Sequence, residues 1–481
     1  MVLNIQLIQQ KTRDAVTVME TTLNNLSGRS ESGGDEPIGT RSAGLYETGT
    51  NNMVASWDEL IANGIVVVND GALYVGAKLP DNLPEKNEYG FYFGVPYAYS
   101  PDDVMTFYPD GSLDEFYNGE SNNYPAGSVE YTAGGLYIQM WSWSLNVTDD
   151  GTTIVNEDGY EYSIAQRPYD IAGDLVLTDD NSVTSINSGA FAAQTSLTSI
   201  TIPDGVADIG EYAFGGCISL KSVEIPDSVT NVGFCAFMAC SSLTDIDVSN
   251  NNTAYQSIDG NLYSKDGQML IQYAIGKTTT EFSIPDGVAL IESYAFDGCS
   301  NLTSVTIPES VTSINWGAFR NCSSLTRVVI PENVTIIDSE MFASCSSLTE
   351  VVLPSNLDTI KSNAFDGCSS LTSIEIPDSV TYIANWAFGN CTGLSSIVIP
   401  DSVVYIDYHV FSGCSSLTSI VIGSGVKRLG LEWAPFDGCT SLATIEFRGT
   451  VAQWNSINKV SNWNADCPAT YVQCSDGQVA I

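Results

Sequence analysis

Cysteine is the residue whose placement first invites chemistry. The chain has 12 cysteines, and nine of them, Cys217, Cys240, Cys299, Cys322, Cys345, Cys368, Cys391, Cys414 and Cys439, stand three residues after a phenylalanine. A tetrahedral metal site needs close pairs of ligands converging from different directions. One residue per repeat gives a column instead. Stacked repeats would bring neighbouring thiols near bridging distance, but with their side chains pointing the same way, which is wrong for a disulfide. The column is therefore expected to be a structural ladder of free, compact, buried side chains. Cys467 and Cys474, near the C-terminus, are the pair that could bridge.

Catalysis finds little to work with. His409, the one histidine, falls two residues before Phe411 with no Ser or Cys nucleophile motif beside it, and reads as an exposed loop residue. Carboxylates are abundant enough to supply a glycosidase's acid and base. Yet Asp204, Asp227, Asp286, Asp378 and Asp401 sit where Asp forms turns. Neither a phosphate-cradling glycine loop nor an Asp-x-Asp-x-Asp-Gly calcium loop is present. No catalytic residue, metal ligand or cofactor is expected.

Aromatic residues remain. Tyr212, Phe234, Tyr294, Trp316, Trp386, Tyr408 and Trp433 fall two or three residues ahead of a recurring phenylalanine, and Tyr382 and Tyr405 lie on a neighbouring strand. A row of half-exposed rings suits stacking on sugars or protein hot spots. The alternative is that the rings pack between neighbouring repeats. At parallel-strand spacing Trp316 and Trp386, three repeats apart, would lie ~14 Å from each other. The strand column from Ser199 and Ser222 to Ser419 and Thr444 is small and polar, and a poor hot spot.

The elements that must position these residues are repeats. Phenylalanines recur every 23 residues at Phe191, Phe214 and Phe237, and again from Phe296 through Phe319, Phe342, Phe365 and Phe388 to Phe411. A final, longer unit ends at Phe436. Within a unit, Leu394-x-x-Ile397-x-Ile399-Pro400 reads as a strand with Leu and Ile pointing inward. A Pro-Asp/Glu-Ser turn, a second extended piece and a loop carrying Ala-Phe and Cys complete the coil. No coil can bury its own edge, so neighbours must stack into a continuous core. About ten coils would make a rod roughly 50 Å long. The gap between Phe237 and Phe296 holds an inserted hairpin over residues 250–280, with Asp-Gly turns at Asp259-Gly260 and Asp266-Gly267.

The unit Ser-Val-Thr-x-Ile-x-x-x-Ala-Phe-x-x-Cys-Ser-Ser-Leu-Thr-Ser-Ile-x-Ile-Pro-Asp resembles the BspA-like leucine-rich repeats of bacterial surface proteins. The insert, and the tail from Phe447 through Trp454 and Trp463 to Cys474, resemble that family's insert and C-terminal cap. The resemblance covers residues from about 170 to 481 and implies a mainly β solenoid over 169–447 with a cap over 448–481. Such solenoids serve adhesion and recognition of many kinds.

The remainder differs in character. Residues 1–27 read as a helix whose apolar positions, from Ile5 and Ile8 to Leu26, make a seam for docking or self-association. Residues 28–41 form a flexible linker. Residues 42–168 read as a small, mostly antiparallel β domain, with turns at Asp70-Gly71, Asp110-Gly111, Asp150-Gly151 and Asp158-Gly159. One short helix is expected after a Ser56 cap.

Net charge is −40, from 57 acidic and 17 basic residues. Such a surface repels nucleic acid and anionic membranes, and no apolar run is long enough to span a bilayer. An apolar signal-peptide core is missing near Met1. These features suggest an extracellular, non-enzymatic recognition protein binding a host-surface glycan or protein, as a homo-oligomer or docked through its N-terminal helix. The expected setting is a virion appendage such as a fibre, spike or decoration protein. The alternatives are a bacterial surface adhesin and, more remotely, a polysaccharide-active enzyme.

Overall fold

The computed structural model describes residues 171–177, 183–430 and 433–481 throughout, and shorter pieces, chiefly strands, between 42 and 168. The helix expected over 1–27 and the linker over 28–41 lie outside the described residues. The chain divides into two units. One, within residues 62–169, is built on a nine-stranded antiparallel sheet. Its order runs Val129–Thr132, Gly135–Ile138, Trp143–Val147, Thr153–Asn156, Glu161–Ile164, Pro96–Ser100, Asp103–Phe107, Leu113–Tyr117, Glu120–Tyr124.

The other unit is the solenoid, and it reaches further back in the chain than the repeats do. Gly44–Tyr46 pairs antiparallel with Gly173–Val176, Met53–Ser56 pairs with Gly44–Tyr46, and Ala72 and Leu73 pair parallel with Ser185 and Ile186. The stretch expected as one β domain over 42–168 is thus split, and its first part caps the solenoid. An uncapped first coil would expose its strand edges and its apolar core to water. Leu45, Tyr46, Ala55 and Leu60 are buried there. Leu60 belongs to the helix Trp57–Ala62, which starts on the expected cap: Ser56 N–H and Oγ both donate to Glu59.

The coils stack in two strand columns. Residues in one coil pair with those 23 further on, as Ser396 and Ser419 do in the first column and Tyr382, Tyr405 and Arg428 in the second; Ser419 pairs with Thr444, 25 on, across the longer final unit. Counting the capping coils, the solenoid makes about 13 turns, against ten expected from the phenylalanines. Coil phenylalanines stack with ring centroids 4.9–5.7 Å apart and planes within 16°. Nine of the ten phenylalanine loops turn through two left-handed residues, two before and two after the phenylalanine, such as Trp386 and Asn390 around Phe388; the last, around Phe436, keeps only the second, Gly438.

The cysteines do more than fill space. All are free, and the nine ladder thiols are buried. In eight of them Sγ donates to the carbonyl of the preceding coil's phenylalanine at 3.0–3.2 Å, as Cys368 does to Phe342. That carbonyl also accepts the backbone N–H of its own coil's cysteine. In the first coil Gln194 takes the cysteine position and accepts the Ile171 N–H at 2.6 Å. Cys467 and Cys474 are not bridged: the Cys467 thiol faces the Phe436 carbonyl at 3.9 Å, continuing the ladder into the cap.

The insert forms as expected. Tyr255–Ile258 and Asn261–Ser264 make a hairpin, and Asp259 and Gly260 both have positive φ, as a tight two-residue hairpin turn requires. Buried Asn252 anchors its base, donating to the Pro226 and Val229 carbonyls and accepting from Ala254 and Tyr255 N–H. Tyr273 takes the phenylalanine slot, stacked on Phe296 at 5.0 Å. At the other end Thr450 caps the helix Val451–Ser456, which buries Trp454 against Trp463. No helix among the described residues is long and apolar enough to cross a membrane.

The ladder has a direct consequence. Native thiols should react slowly, because burial pushes Cys299 up to about 12 and Cys368 well above its ordinary range. Cys368→Ala loses both the sulfur's packing and its bond to Phe342, and should cost about 1–3 kcal/mol in denaturant unfolding. Rapid native labelling of the ladder, or an unchanged midpoint for Cys368→Ala, would contradict this structure.

Candidate functional site

The expected aromatic row is organised by backbone conformation. In every phenylalanine loop but the last, the residue two before the phenylalanine lies in the left-handed region: φ is 52° at Tyr212, 54° at Cys235, 59° at Tyr294, 55° at Glu340, 57° at Trp386 and 53° at His409. Gly189, Gly317 and Asn363 hold the same place in other coils, and those types suit it. A bulky side chain there costs on the order of 1 kcal/mol. The turn throws each side chain onto one edge of the solenoid.

On that edge the rings form two separate runs. In the first, Tyr212 meets Phe234 edge-on at 5.8 Å, Phe234 meets Tyr294 at 5.9 Å, and Tyr294 meets Trp316 at 5.3 Å. In the second, His409 lies between Trp386 at 4.8 Å and Trp433 at 5.9 Å, with Tyr408 edge-on at 5.8 Å. Glu340 and Asn363 occupy the position in the intervening coils and interrupt the row. Trp316 stands three residues before its phenylalanine and Trp386 two, so they leave their coils at different phases.

Exposure sorts these rings. Trp433 is 58% exposed, Trp316 44% and Tyr212 42%, and all can meet a partner. Tyr294, expected as a binding residue, is 6% exposed and belongs to the packing instead. Arg320 covers it, 4.8 Å above the ring, held by Asp297 at 3.0 Å and Glu340 at 3.1 Å. Tyr382 and Tyr405 lie side by side in the second column. The Tyr382 hydroxyl donates to Asp407 at 2.8 Å, and burial together with that carboxylate pushes it up to about 12. Tyr405 is exposed on one side, with Arg428 4.8 Å over its ring.

His409 departs from expectation. It is a half-buried member of the second run, not an exposed loop residue, and its Nδ1 has no hydrogen-bond partner among the described residues. The signal was available: His409 shares its place before the phenylalanine with Tyr212, Tyr294 and Trp386. No group of three or more His, Cys, Asp or Glu able to hold a metal is found among the described residues. The arrangement can stack on flat apolar faces or on cations, and supplies few directed hydrogen bonds.

Exposure also separates binding from packing in a measurable way. Trp433→Ala should shift stability by no more than about 0.5 kcal/mol, whereas Tyr294→Ala should cost about 3 kcal/mol. Thermal melts of the two variants decide it; equal losses would place both rings in the core.

The repeat signature described as BspA type leucine rich repeat region matches in six copies, over residues 176–266, 273–392 and 358–461. Among solved structures, the chain is similar to a leucine rich cell surface protein from Faecalibacterium prausnitzii, with 32% identity over 60% of this chain and 63% of that one, at a TM-score of 0.40. It is also similar to the pneumococcal vaccine antigen PcpA, with 22% identity over 64% and 68% at 0.44, and to a leucine-rich repeat protein from Eubacterium ventriosum, with 21% over 55% and 94% at 0.30. The chain thus spans less than two thirds of the Faecalibacterium protein. No curated protein matches it. With its repeat signature covering more than half of the sequence, the chain belongs to the BspA type leucine rich repeat family.

Proposed function

We propose that this protein is a non-enzymatic recognition protein whose aromatic edge binds a surface glycan or protein. The observation that carries the reading is the strained turn. Glycine or asparagine fits the left-handed position and is used in three coils, yet Tyr212, Trp386 and His409 are held there and their rings face the edge. A half-exposed ring such as Trp433 or Trp316 adds little to stability, and gains its worth from a partner that covers it.

Display at a bacterial cell surface is the favoured setting, because the relative with 32% identity is described as a cell surface protein. The docking helix over 1–27, one of the features behind the virion setting expected from sequence, lies outside the described residues. The acidic surface suits either exposed location by keeping the chain soluble.

The test pairs binding with stability. Trp386→Ala and Trp433→Ala together should weaken binding to target cells, or to a glycan array, by about ten- to a hundred-fold. The stack they leave should still melt cooperatively. Unchanged binding by the double variant, with the same melting temperature, would remove the edge from the proposal.

A further inference from the structure

The insert interrupts both strand columns and leaves a cleft. Asn231–Val232 ends one sheet and Met269–Gln272 belongs to the next. The Tyr255 hydroxyl accepts the Val232 N–H at 2.8 Å where a strand partner would otherwise sit. Between these elements lies a cleft of about 370 Å³, with Val232, Phe234, Tyr255, Met269 and Ile271 in its mainly apolar walls and Glu292 as the acidic residue among them. The Ser293 N–H and the Asn315 amide hold the Glu292 carboxylate at 3.0 and 2.6 Å, and both bonds fall on Oε2. Neither engages Oε1.

A cleft of this size with apolar walls and one fixed carboxylate matches a ligand with an aliphatic or flat body and a cationic end. The neighbouring coil contains such an arrangement made from the chain's own residues. Arg320 lies over Tyr294 and is bonded to Asp297 and Glu340, and Tyr294 in turn touches Phe234, a wall of the cleft. Arg428 over Tyr405 and Lys459 over Trp454 repeat the theme. A net charge of −40 adds long-range attraction for any basic partner.

We propose that the cleft takes an arginine side chain of a partner protein. The guanidinium faces Glu292 and the aliphatic stem lies along Val232, Met269 and Ile271. Arginine suits the place better than lysine because its planar head is weakly hydrated, stacks on rings and can turn two N–H groups toward the open Oε1. The proposal rests on the recognition role above and gives that role a protein partner with a basic segment.

Fluorescence anisotropy with the full chain tests it, using a labelled arginine-containing peptide and the same peptide with citrulline, the neutral shape-mimic of arginine. At salt sufficient to screen the general surface charge, citrulline should bind at least about tenfold more weakly. Glu292→Gln and Ile271→Trp, the latter filling the cleft from a half-exposed position, should weaken the arginine peptide to a similar degree. Trp433→Ala should leave it unchanged, which separates this cleft from the aromatic edge. If Glu292→Gln lowers the melting temperature, Ile271→Trp decides the matter. Equal binding of the two peptides, or wild-type binding by Ile271→Trp, would overturn the proposal and leave only diffuse attraction to an acidic surface.

Discussion

The buried carbonyl of the coil phenylalanine is the constraint on which the rest of the solenoid depends. It sits in the buried core, where an acceptor left short of donors is costly. The cysteine three residues on donates its backbone N–H within the coil, and the cysteine of the next coil donates its thiol from below. Serine could donate too, but would bring a more strongly hydrated group into a fully buried slot. Cysteine combines apolar bulk with a weak donor. The ladder is thus a bond repeated from coil to coil, and with the stacked rings beside it sets the register at which both strand columns pair.

From that register the edge follows. In nine of the ten phenylalanine loops the chain returns to the next strand through two left-handed residues, and the first of them turns its side chain toward the edge. The sequence at this position can be chosen for conformational ease, as at Gly317, or for what the side chain presents, as at Trp386. Where the ladder is interrupted, by the segment between Phe237 and Phe296, side chains replace strand pairing: Asn252 ties the base of the hairpin and Tyr255 caps Val232. The cleft is the space this repair leaves.

Much of this was legible in the sequence because it repeats. A residue type recurring at one phase of a 23-residue period declares a shared environment, which is why the phenylalanines, the cysteines, the insert and its Asp-Gly turns could all be placed. What was not legible depends on single events. The capping strands near Leu45 and Leu73 carry no repeat and find partners more than a hundred residues away. Tyr294 shares its phase with exposed rings, and only Arg320, reaching over from the next coil, sets it apart by covering it. The chemistry of a lone imidazole says little about His409, whereas its phase in the repeat puts it in an aromatic stack. The thiol's role as a donor needed the distance to the Phe carbonyl, which no pattern supplies.

Native-state hydrogen exchange, resolved along the chain, tests most directly whether coil-to-coil bonding of the phenylalanine loops holds the stack together. Stability in a solenoid is a sum over neighbouring interfaces. The loop and strand amides from Phe319 to Phe411, where the ladder is unbroken, should therefore exchange slowest. The segment from Asn250 to Lys277 should open at lower free energy, although it lies inside the chain and is well covered. Protection graded only by distance from the two ends, with the insert as slow as the coils around it, would contradict the account.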